Sequence, residues 1–369
     1  MSGRGRSRTT TALAALALAG LAWKVTRGAR EADLAGSVVL ITGGSRGLGL
    51  LLARELAGLG CRLALCARDP EELEAARREL HAAGAEVLAV RCDVADRDDV
   101  ERMVERVLER YGRVDVLVNN AGIIQVGPLE SMTVEDFEHA MAVNFFGAVH
   151  TVLAVLPGMR ARRSGRIVNV ASIGGKVAIP HLLPYDSAKF ALTGFSEGLR
   201  SELAGEGITV TTIVPGLMRT GSPVNALFKG QAEKEFSWFS LGDATPLTAM
   251  SAERAARRIV QAARRGEAEV TLTWQAKLLR LAHDLFPGAT ADLLGGVARL
   301  LPEPGGAGGE VRGMELATPV SPSPLTALMN RAARENNEYG GAPEPSPEHA
   351  RRVGLRGHGA ETQERTGRE

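Results

Sequence analysis

The sequence is poor in cysteine, in aromatic residues and in net charge. Its only cysteines, Cys61, Cys66 and Cys92, form no C-x-x-C pair and no spacing typical of metal ligands, so we expect buried, reduced thiols and no metal site. Aromatic residues make up 4% of the chain, and no repeat period is visible, which argues against a repeat protein. The net charge of +1 provides no overall field that would favour nucleic acid as a partner.

An N-terminal basic and apolar segment, residues 1–33, precedes the main domain. It contains an uncharged run from Thr9 to Trp23 with arginines on both sides. As a helix this run would span about 22 Å, which is shorter than the roughly 30 Å hydrocarbon core of a bilayer. Three interpretations stay open: a short membrane anchor that contacts lipid through residues 9–23, a signal peptide cleaved before Gly20, and a peripheral or disordered arm.

Short apolar strands alternate with amphipathic helices from residue 34 to residue 273. "SVVLIT" and "GRIVNVAS" are typical of buried strands, and "DPEELEAARRELHAAG" is typical of a helix, with proline at its start and glycine at its end. This alternation predicts an α/β fold. We expect a Rossmann-type doubly wound parallel sheet of about seven strands, with helices on both faces.

Two further segments follow the α/β domain. Residues 274–301 carry two amphipathic helical patterns that suit packing on the domain or on a membrane. From residue 302 the composition becomes rich in proline and glycine, and we predict a largely disordered tail over 302–369. Within this tail, "SPLTALMNRAARENNE" is compatible with one short, isolated helix.

A glycine-rich turn, "TGGSRGLG" at Thr42–Gly49, joins the first predicted strand to the first predicted helix. Glycines in such a turn permit a sharp bend, close approach of the backbone to a pyrophosphate and close packing of helix on strand. The helix N-terminus then faces the phosphates. Because the turn lies at the first strand–helix junction, we favour nucleotide binding over an ordinary glycine-rich turn.

The residues after the second strand bear on the choice of cofactor. NAD sites use a carboxylate there for the ribose hydroxyls, whereas NADP sites use a cation for the extra phosphate. In "LCARDP", Ala67 occupies the acidic position and Arg68 follows, while Arg46 adds a second cation. Asp69 begins the next helix, where capping is the simpler role. We therefore predict NADP, with NAD as the alternative, and place Asp93 near the adenine.

Six motifs, taken together, resemble the classical short-chain dehydrogenase/reductase family over about residues 34–273. They occur in the family's order: Thr42–Gly49, "NNAG" at Asn119–Gly122, Asn144, Ser172, "YDSAK" at Tyr185–Lys189, and "PG" at Pro215–Gly216. The thirteen-residue gap from Ser172 to Tyr185 is also the family's gap. "YDSAK" exchanges the two small residues of the commoner Tyr-x-Ala-Ser-Lys, but neither of them does chemistry.

The resemblance implies a catalytic set of Asn144, Ser172, Tyr185 and Lys189. A phenol with a pKa near 10 is a poor acid–base catalyst at neutral pH, and an ammonium one helical turn away is expected to lower that pKa. Tyr185 would exchange a proton with the substrate oxygen, and Ser172 would donate a hydrogen bond to it. By resemblance, Lys189 also holds the nicotinamide ribose and Asn144 positions a water in a proton relay.

The expected cofactor-binding residues extend from the glycine-rich turn to the last strands of the sheet. They are Thr42, Gly43, Ser45, Arg46, Gly47, Leu48, Gly49, Arg68, Asp93, Val94, Asn120, Ala121, Gly122, Tyr185, Lys189, Pro215, Gly216 and Thr220. Several of these have simpler alternative roles: Thr42 as a turn residue, Asp93 and Thr220 as caps, and Asn144 as the site of a helix kink.

We expect an NADP-preferring carbonyl reductase or alcohol dehydrogenase that acts on an apolar ketone or alcohol. A lid over residues 217–246 offers apolar side chains for the substrate: Leu217, Met218, Phe228, Phe236, Trp238 and Phe239. The alternative is an NADP-binding sensor or scaffold without turnover. The resemblance implies a homodimer or homotetramer that pairs through the helices bearing Asn144 and Tyr185. We expect a cytoplasmic catalytic domain, with the N-terminus as a candidate membrane tether.

Overall fold

The structure is a computed structural model, and it describes residues 31–244, 249–305, 309–316, 318 and 326–339. The predicted lipid contact through residues 9–23 lies outside the described residues, as does the last part of the predicted disordered tail, residues 340–369.

Twelve strands and eleven α-helices are found in the described part of the chain. The strands are β1 Val38–Thr42, β2 Arg62–Ala67, β3 Val87–Arg91, β4 Val116–Asn119, β5 Gln125–Val126, β6 Gly165–Val170, β7 Ile208–Val214, β8 Met218–Arg219, β9 Leu227–Phe228, β10 Met250–Ser251, β11 Glu269–Thr271 and β12 Val311–Arg312. The helices are α1 Gly47–Gly58, α2 Pro70–Ala82, α3 Arg97–Tyr111, α4 Val134–Met141, α5 Gly147–Arg162, α6 Leu183–Glu202, α7 Ala232–Ala244, α8 Ala252–Arg265, α9 Trp274–Leu285, α10 Pro287–Ala298 and α11 Ala327–Glu335.

Seven parallel strands form the central sheet, in the order β3-β2-β1-β4-β6-β7-β11. The strand order reverses between β1 and β4, and such a reversal opens a crevice at the carboxyl ends of the strands. The predicted Rossmann-type doubly wound fold with about seven strands is therefore confirmed.

Helices cover both faces of this sheet because residues of a buried strand point alternately to its two sides. In β1, Val39 and Ile41 belong to the core that includes α1 and α8, whereas Val38 and Leu40 belong to the core that includes α3 and α5. All five residues of β1 are buried, which is why the strand reads as one continuous apolar run. The three cysteines are buried with free thiols, as expected.

A π-helical turn, Ala142–Phe146, connects α4 to α5 and contains Asn144. The continuous helical stretch Val134–Arg162 is long and apolar enough to cross a membrane, but half of its apolar window is buried inside the protein. Residues of α5 such as Val152 and Met159 pack in the core beneath the sheet, and this packing accounts for the apolar character of the stretch.

The segments after β11 divide into two parts. Helices α9 and α10 pack against each other but leave many large apolar side chains exposed. Helix α11 instead packs against α7, with Met329 and Ala333 fully buried, and β12 pairs with β9. Both lie in the segment predicted to be largely disordered; α11 falls where the sequence allowed one short helix, whereas its packing against α7 and the strand β12 were not expected.

Candidate active site

One cavity of about 1090 Å³ opens at the carboxyl ends of the central strands. It is lined by all four predicted catalytic residues and by most of the predicted cofactor-binding residues: Gly43, Ser45, Arg46, Gly47, Leu48, Arg68, Asp93, Val94, Asn120, Ala121, Gly122, Asn144, Ser172, Tyr185, Lys189, Pro215, Gly216 and Thr220. The volume exceeds the range usual for one small ligand, so it has room for a dinucleotide and a substrate together.

Thr42 and Gly49 lie behind the cavity wall and shape it. The hydroxyl of Thr42 accepts hydrogen bonds from the backbone N–H groups of Asn120 and Ala121, at 3.0 Å each. A Cβ on Gly49 would lie 2.0 Å from the carbonyl oxygen of Gly43, so only glycine permits this approach of α1 to the turn. The Thr42 hydroxyl thus bonds the backbone at the end of β4 and not the backbone of the turn.

The glycine-rich turn has the backbone geometry that close approach to phosphates requires. Gly43 and Gly47 adopt left-handed φ values of +63° and +54°, which favour glycine. The side-chain amide of Asn120 donates to the carbonyl oxygens of Thr42 and Gly43, at 3.1 Å each, and holds the turn against β4. The turn thus presents the N-terminus of α1 to the cavity, and these residues fit a dinucleotide phosphate.

The predicted phosphate cations have different surroundings. Arg46 pairs with the buried carboxylate of Glu72 at 2.5 Å, and the Ser45 hydroxyl donates to the other oxygen of Glu72 at 3.1 Å. Arg68 lines the cavity. Asp69 caps α2 by accepting from the N–H groups of Glu71 and Glu72, which is the capping role preferred from sequence.

Asp93 and Asn144 both make local backbone contacts while lining the cavity. Asp93 accepts a hydrogen bond from the N–H of Ala95 at 3.0 Å, so it acts as a turn residue while lining the cavity, and Asp96 is the residue that caps α3. Asn144 accepts from the N–H of Ile123 and donates to the carbonyl oxygen of Ile123, at 3.1 Å each. Asn144 lies in the π-helical turn and lines the cavity. Such turns are frequent at functional sites.

Ser172, Tyr185 and Lys189 come together from the end of β6 and the start of α6. The Ser172 hydroxyl accepts from the N–H of Gly174 at 3.1 Å and lines the cavity beside Tyr185. The Lys189 Nζ lies 5.6 Å from the centre of the Tyr185 ring and donates to the carbonyl oxygen of Val170 at 3.0 Å. The i, i+4 spacing on one helix face produces this arrangement.

The charge states of this pair depend on burial. Burial raises the pKa of Tyr185 to about 12, although the hydrogen bond with Ser172 lowers it in part. Burial also lowers the pKa of Lys189 to about 8. Desolvation therefore dominates both shifts, and the lowering of the phenol pKa by Lys189 stays a prediction.

The predicted lid is divided between the cavity and the core. Leu217, Met218, Trp238 and Phe239 line the cavity, as predicted. Phe228 and Phe236 do not line it: they are 0% and 3% exposed and pack with Phe239 in a separate apolar core.

Several acidic residues on the cavity wall were missed from sequence, among them Asp186, Asp243 and Glu338. Asp186 lies inside the "YDSAK" motif, and burial raises its pKa to about 8. Asp243 lies in the predicted lid and accepts from the Ser222 hydroxyl at 3.3 Å, and burial raises its pKa to about 7. Glu338 lies in the segment predicted to be disordered, so nothing in its local sequence indicated this position. No group of His, Cys, Asp or Glu within the described ranges is placed to hold a metal ion.

The parallel sheet, the glycine-rich turn and the serine, tyrosine and lysine in one cavity define a dinucleotide-dependent oxidoreductase. A family model described as short chain dehydrogenase matches residues 37–227. The chain belongs to the short-chain dehydrogenase/reductase family. As a member of it, the protein is an NAD(P)-dependent oxidoreductase that acts on CH–OH and carbonyl groups.

Similar proteins come from distant organisms. A dehydrogenase/reductase SDR family protein 7-like of Anopheles gambiae is 39% identical over 254 residues, which cover 68% of this chain and 78% of that protein. A putative ketoacyl reductase of Streptomyces coelicolor is 42% identical over 185 residues, covering 50% and 71%.

Two solved structures are similar in fold. A short-chain dehydrogenase from Streptomyces avermitilis has a TM-score of 0.63 at 30% identity and covers 72% of this chain and 98% of its own. A gluconate 5-dehydrogenase from Burkholderia cenocepacia, solved with NADP and tartrate, has a TM-score of 0.59 at 27% identity and covers 67% and 97%.

Proposed function

We propose that the protein is an NADP-preferring carbonyl reductase or alcohol dehydrogenase for an apolar ketone–alcohol pair, with Tyr185 as the general acid and base. The observation that carries this proposal is the presence of Asn144, Ser172, Tyr185 and Lys189 around the same cavity as the glycine-rich turn. The cofactor, when bound, supplies or accepts the hydride. The residues of this chain supply proton transfer, orientation and exclusion of water.

In the reduction direction, Tyr185 acts as the acid. With a pKa of about 12, the Tyr185 hydroxyl keeps its proton at neutral pH and can donate it to a carbonyl oxygen that becomes an alkoxide. The Ser172 hydroxyl is within hydrogen-bonding reach of Tyr185 and stabilises the same oxygen. Lys189, in its cationic form, holds the ribose beside the reacting carbon. In oxidation, the nearby positive charge would favour the phenolate.

The composition of the substrate side of the cavity supports an apolar ligand. Its wall includes Ile179, Leu182, Leu217, Trp238 and Phe239. Burial of such side chains against an aliphatic or ring substrate contributes about 25 cal/mol per Å² of apolar surface removed from water. A few polar groups, such as Asp243, would then orient the substrate rather than supply most of the affinity.

Two observations support NADP over NAD. The acidic position after β2 is Ala67, and Arg46 and Arg68 line the adjoining cavity wall. The gluconate 5-dehydrogenase and a metagenomic short-chain oxidoreductase were both solved with NADP. NAD stays the alternative, because Arg46 already pairs with the carboxylate of Glu72 and is therefore less available to the extra phosphate of NADP.

Assembly and location complete the proposal. Phe146, Leu153 and Phe190 are exposed on the helical surface formed by the π-helical turn, α5 and α6, which supports a homodimer or homotetramer through these helices. A sedimentation measurement that gives only monomer would contradict this. We further propose a cytoplasmic catalytic domain tethered to the membrane at its N-terminus, supported by the exposed apolar side chains of α9 and α10.

A substrate screen with Tyr185→Phe tests the central proposal. Purified protein is offered a panel of apolar carbonyl compounds while NADPH absorbance is followed. We expect turnover by the wild-type protein, and a loss of about 10³-fold in Tyr185→Phe with NADPH binding retained, because the variant lacks only the proton donor. Tight NADPH binding without turnover of any compound would instead support the alternative, a sensor or scaffold.

A further inference from the structure

The C-terminal segment ends against the glycine-rich turn. The N–H of Gly47 donates to the carbonyl oxygen of Asn336 at 2.8 Å. The side-chain amide of Asn337 donates to the carbonyl oxygens of Ser45 and Glu72, at 3.0 and 3.1 Å. Two consecutive residues after α11 are thus hydrogen-bonded to the turn and to α2, although nearly 300 positions separate them in sequence.

The carboxylate of Glu338 lies where a phosphate is expected to approach the turn. A Cβ placed on Gly47 would be 2.5 Å from the Glu338 Oε1. Gly47 is the middle glycine of Gly43, Gly47 and Gly49, the position at which the backbone of a dinucleotide fold approaches the pyrophosphate. The Glu338 Oε2 is also 3.4 Å from Arg46 Nε. An anion therefore lies at the N-terminus of α1, beside a cation proposed for the cofactor.

Glu338 is also hydrogen-bonded to Asn225, another residue of the cavity wall. The side-chain amide of Asn225 donates to both the carbonyl oxygen and the carboxylate of Glu338, at 2.8 Å each. A Cβ on Gly221 would lie 2.5 Å from Ala333, so the lid segment and α11 are in close contact. Glu338 is only 4% exposed, and burial raises its pKa to about 7.

We propose that residues 336–338 are an intramolecular competitor of the dinucleotide, and that they must leave the glycine-rich turn before the cofactor binds. While the segment is docked, the carbonyl oxygen of Asn336 accepts the N–H of Gly47 and the Glu338 carboxylate lies beside Gly47 and Arg46, so a phosphate cannot approach this part of the turn. This inference rests on the proposed assignment of the turn to the cofactor phosphates. The apparent affinity for cofactor is then reduced by the fraction of molecules in which the segment is docked.

Binding of the cofactor and docking of the segment are reciprocal. If docking weakens cofactor binding, saturating cofactor must weaken docking by the same factor. A change that holds the segment away from the turn would therefore activate the enzyme without any new contact to substrate. The segment follows α11, which packs against α7 and whose Met329 is fully buried, so α11 can stay in place while residues 336–338 move.

Substitution of Glu338 in the full chain tests the competition. We expect Glu338→Ala to lower the dissociation constant for NADPH about tenfold, measured by titration of NADPH fluorescence or by calorimetry. Asn337→Ala removes the adjoining hydrogen bonds, leaves the carboxylate in place, and should act in the same direction. Glu335→Gln is the matched control, since this exposed side chain on α11 pairs with Arg331 and does not touch the turn. An unchanged or raised dissociation constant in Glu338→Ala would overturn the proposal.

Hydrogen exchange in the wild-type chain gives a test that needs no variant. We expect peptides covering residues 330–338 to exchange several-fold faster when NADPH saturates the protein. Slower or unchanged exchange there would mean that the segment stays in place when the cofactor binds. That result would contradict the proposed competition but not the proposed cofactor site. If neither the wild-type protein nor any variant binds NADPH or NADH, the proposed cofactor site and the competition both fail.

Discussion

Individual charges in the cavity depend more on burial than on sequence spacing. The spacing of Tyr185 and Lys189 placed both groups on one face of α6, and the structure has them there. Their protonation, however, follows desolvation: the pKa of Tyr185 rises to about 12 and that of Lys189 falls to about 8. The five-residue motif "YDSAK" makes Tyr185 and Lys189 neighbours on a helix, but it does not specify how much water the fold leaves around the pair.

The choice between NADP and NAD can be tested at Arg68. We expect Arg68→Asp to raise the dissociation constant for NADPH about tenfold to hundredfold, because a charge-assisted contact to the 2′-phosphate is replaced by a repulsive carboxylate. Affinity for NADH should change much less. Both constants are measured by fluorescence titration.

The matched control for this prediction is Arg78→Asp. Arg78 is an exposed residue of α2 that lies 3.9 Å from Glu74 and does not line the cavity. It changes net charge by the same amount as Arg68→Asp. An NADPH affinity that stays constant in Arg68→Asp would show that the phosphate site has been placed wrongly.

At the scale of elements, local sequence predicted the central sheet well and the irregular segments poorly. The strands of the sheet are short, mostly apolar runs, so periodicity and flanking glycines were enough to find them. The π-helical turn at Asn144 was anticipated only as a kink, because nothing in "AVNFF" specifies an extra residue in the turn. Helix α11 was expected to be isolated, because its packing depends on a partner surface on α7 that local composition does not contain.

Asp186 joins α6 to the segment after β6 and makes stability depend on pH. One of its carboxylate oxygens accepts from the N–H of Ile179 at 2.5 Å, and the other is buried without a partner. Burial raises its pKa to about 8, from an ordinary value near 3.9 in the unfolded chain. Since the folded pKa is the higher one, the stabilising contribution is complete below about pH 4 and is lost as the pH rises through about 8.

We therefore expect Asp186→Asn to flatten the pH dependence of stability. The free energy of unfolding of the wild-type protein should fall between pH 5 and pH 9, with a contribution from Asp186 on the order of a few kcal/mol. The variant should lose less over the same range, as measured by urea unfolding at each pH. Glu202→Gln, an exposed change on the same helix, should leave the slope as in the wild type. Identical slopes for Asp186→Asn and the wild type would contradict this.

At the scale of the whole molecule, the order of several motifs along the chain indicated the family better than any single motif. Six short motifs in a fixed order indicated the family and the α/β fold, and the structure collects most of the named residues around one cavity. The acidic groups Asp243 and Glu338 were not found, because they reach the cavity from segments whose own sequence carries no nucleotide-binding pattern. Contacts between segments that are distant in sequence depend on the complete fold, so the sequence of either segment alone does not predict them.

The location of the whole molecule can be tested with lipid vesicles. Helices α9 and α10 and the residues after them expose Trp274, Leu278, Leu281, Leu285, Phe286, Leu293, Val297 and Leu300. Exposed apolar patches of this kind mark interaction surfaces, and the arginines around residues 9–23 would add attraction to anionic lipid. We expect full-length protein to sediment with anionic vesicles, and a variant that begins at Leu34 to bind roughly tenfold more weakly, because one apolar segment alone anchors marginally.

A second variant separates the two contributions to membrane binding. Leu278→Glu combined with Leu281→Glu should weaken vesicle binding further in the protein that begins at Leu34, since it places two charges on the apolar surface of α9. Leu108→Glu serves as the control, because Leu108 is exposed on α3, away from α9, and should leave vesicle binding unchanged. If the full-length and shortened proteins stay equally soluble and bind vesicles equally, the tether is wrong. If only the α9 variant loses binding, the attachment depends on the helices after the sheet rather than on the N-terminus.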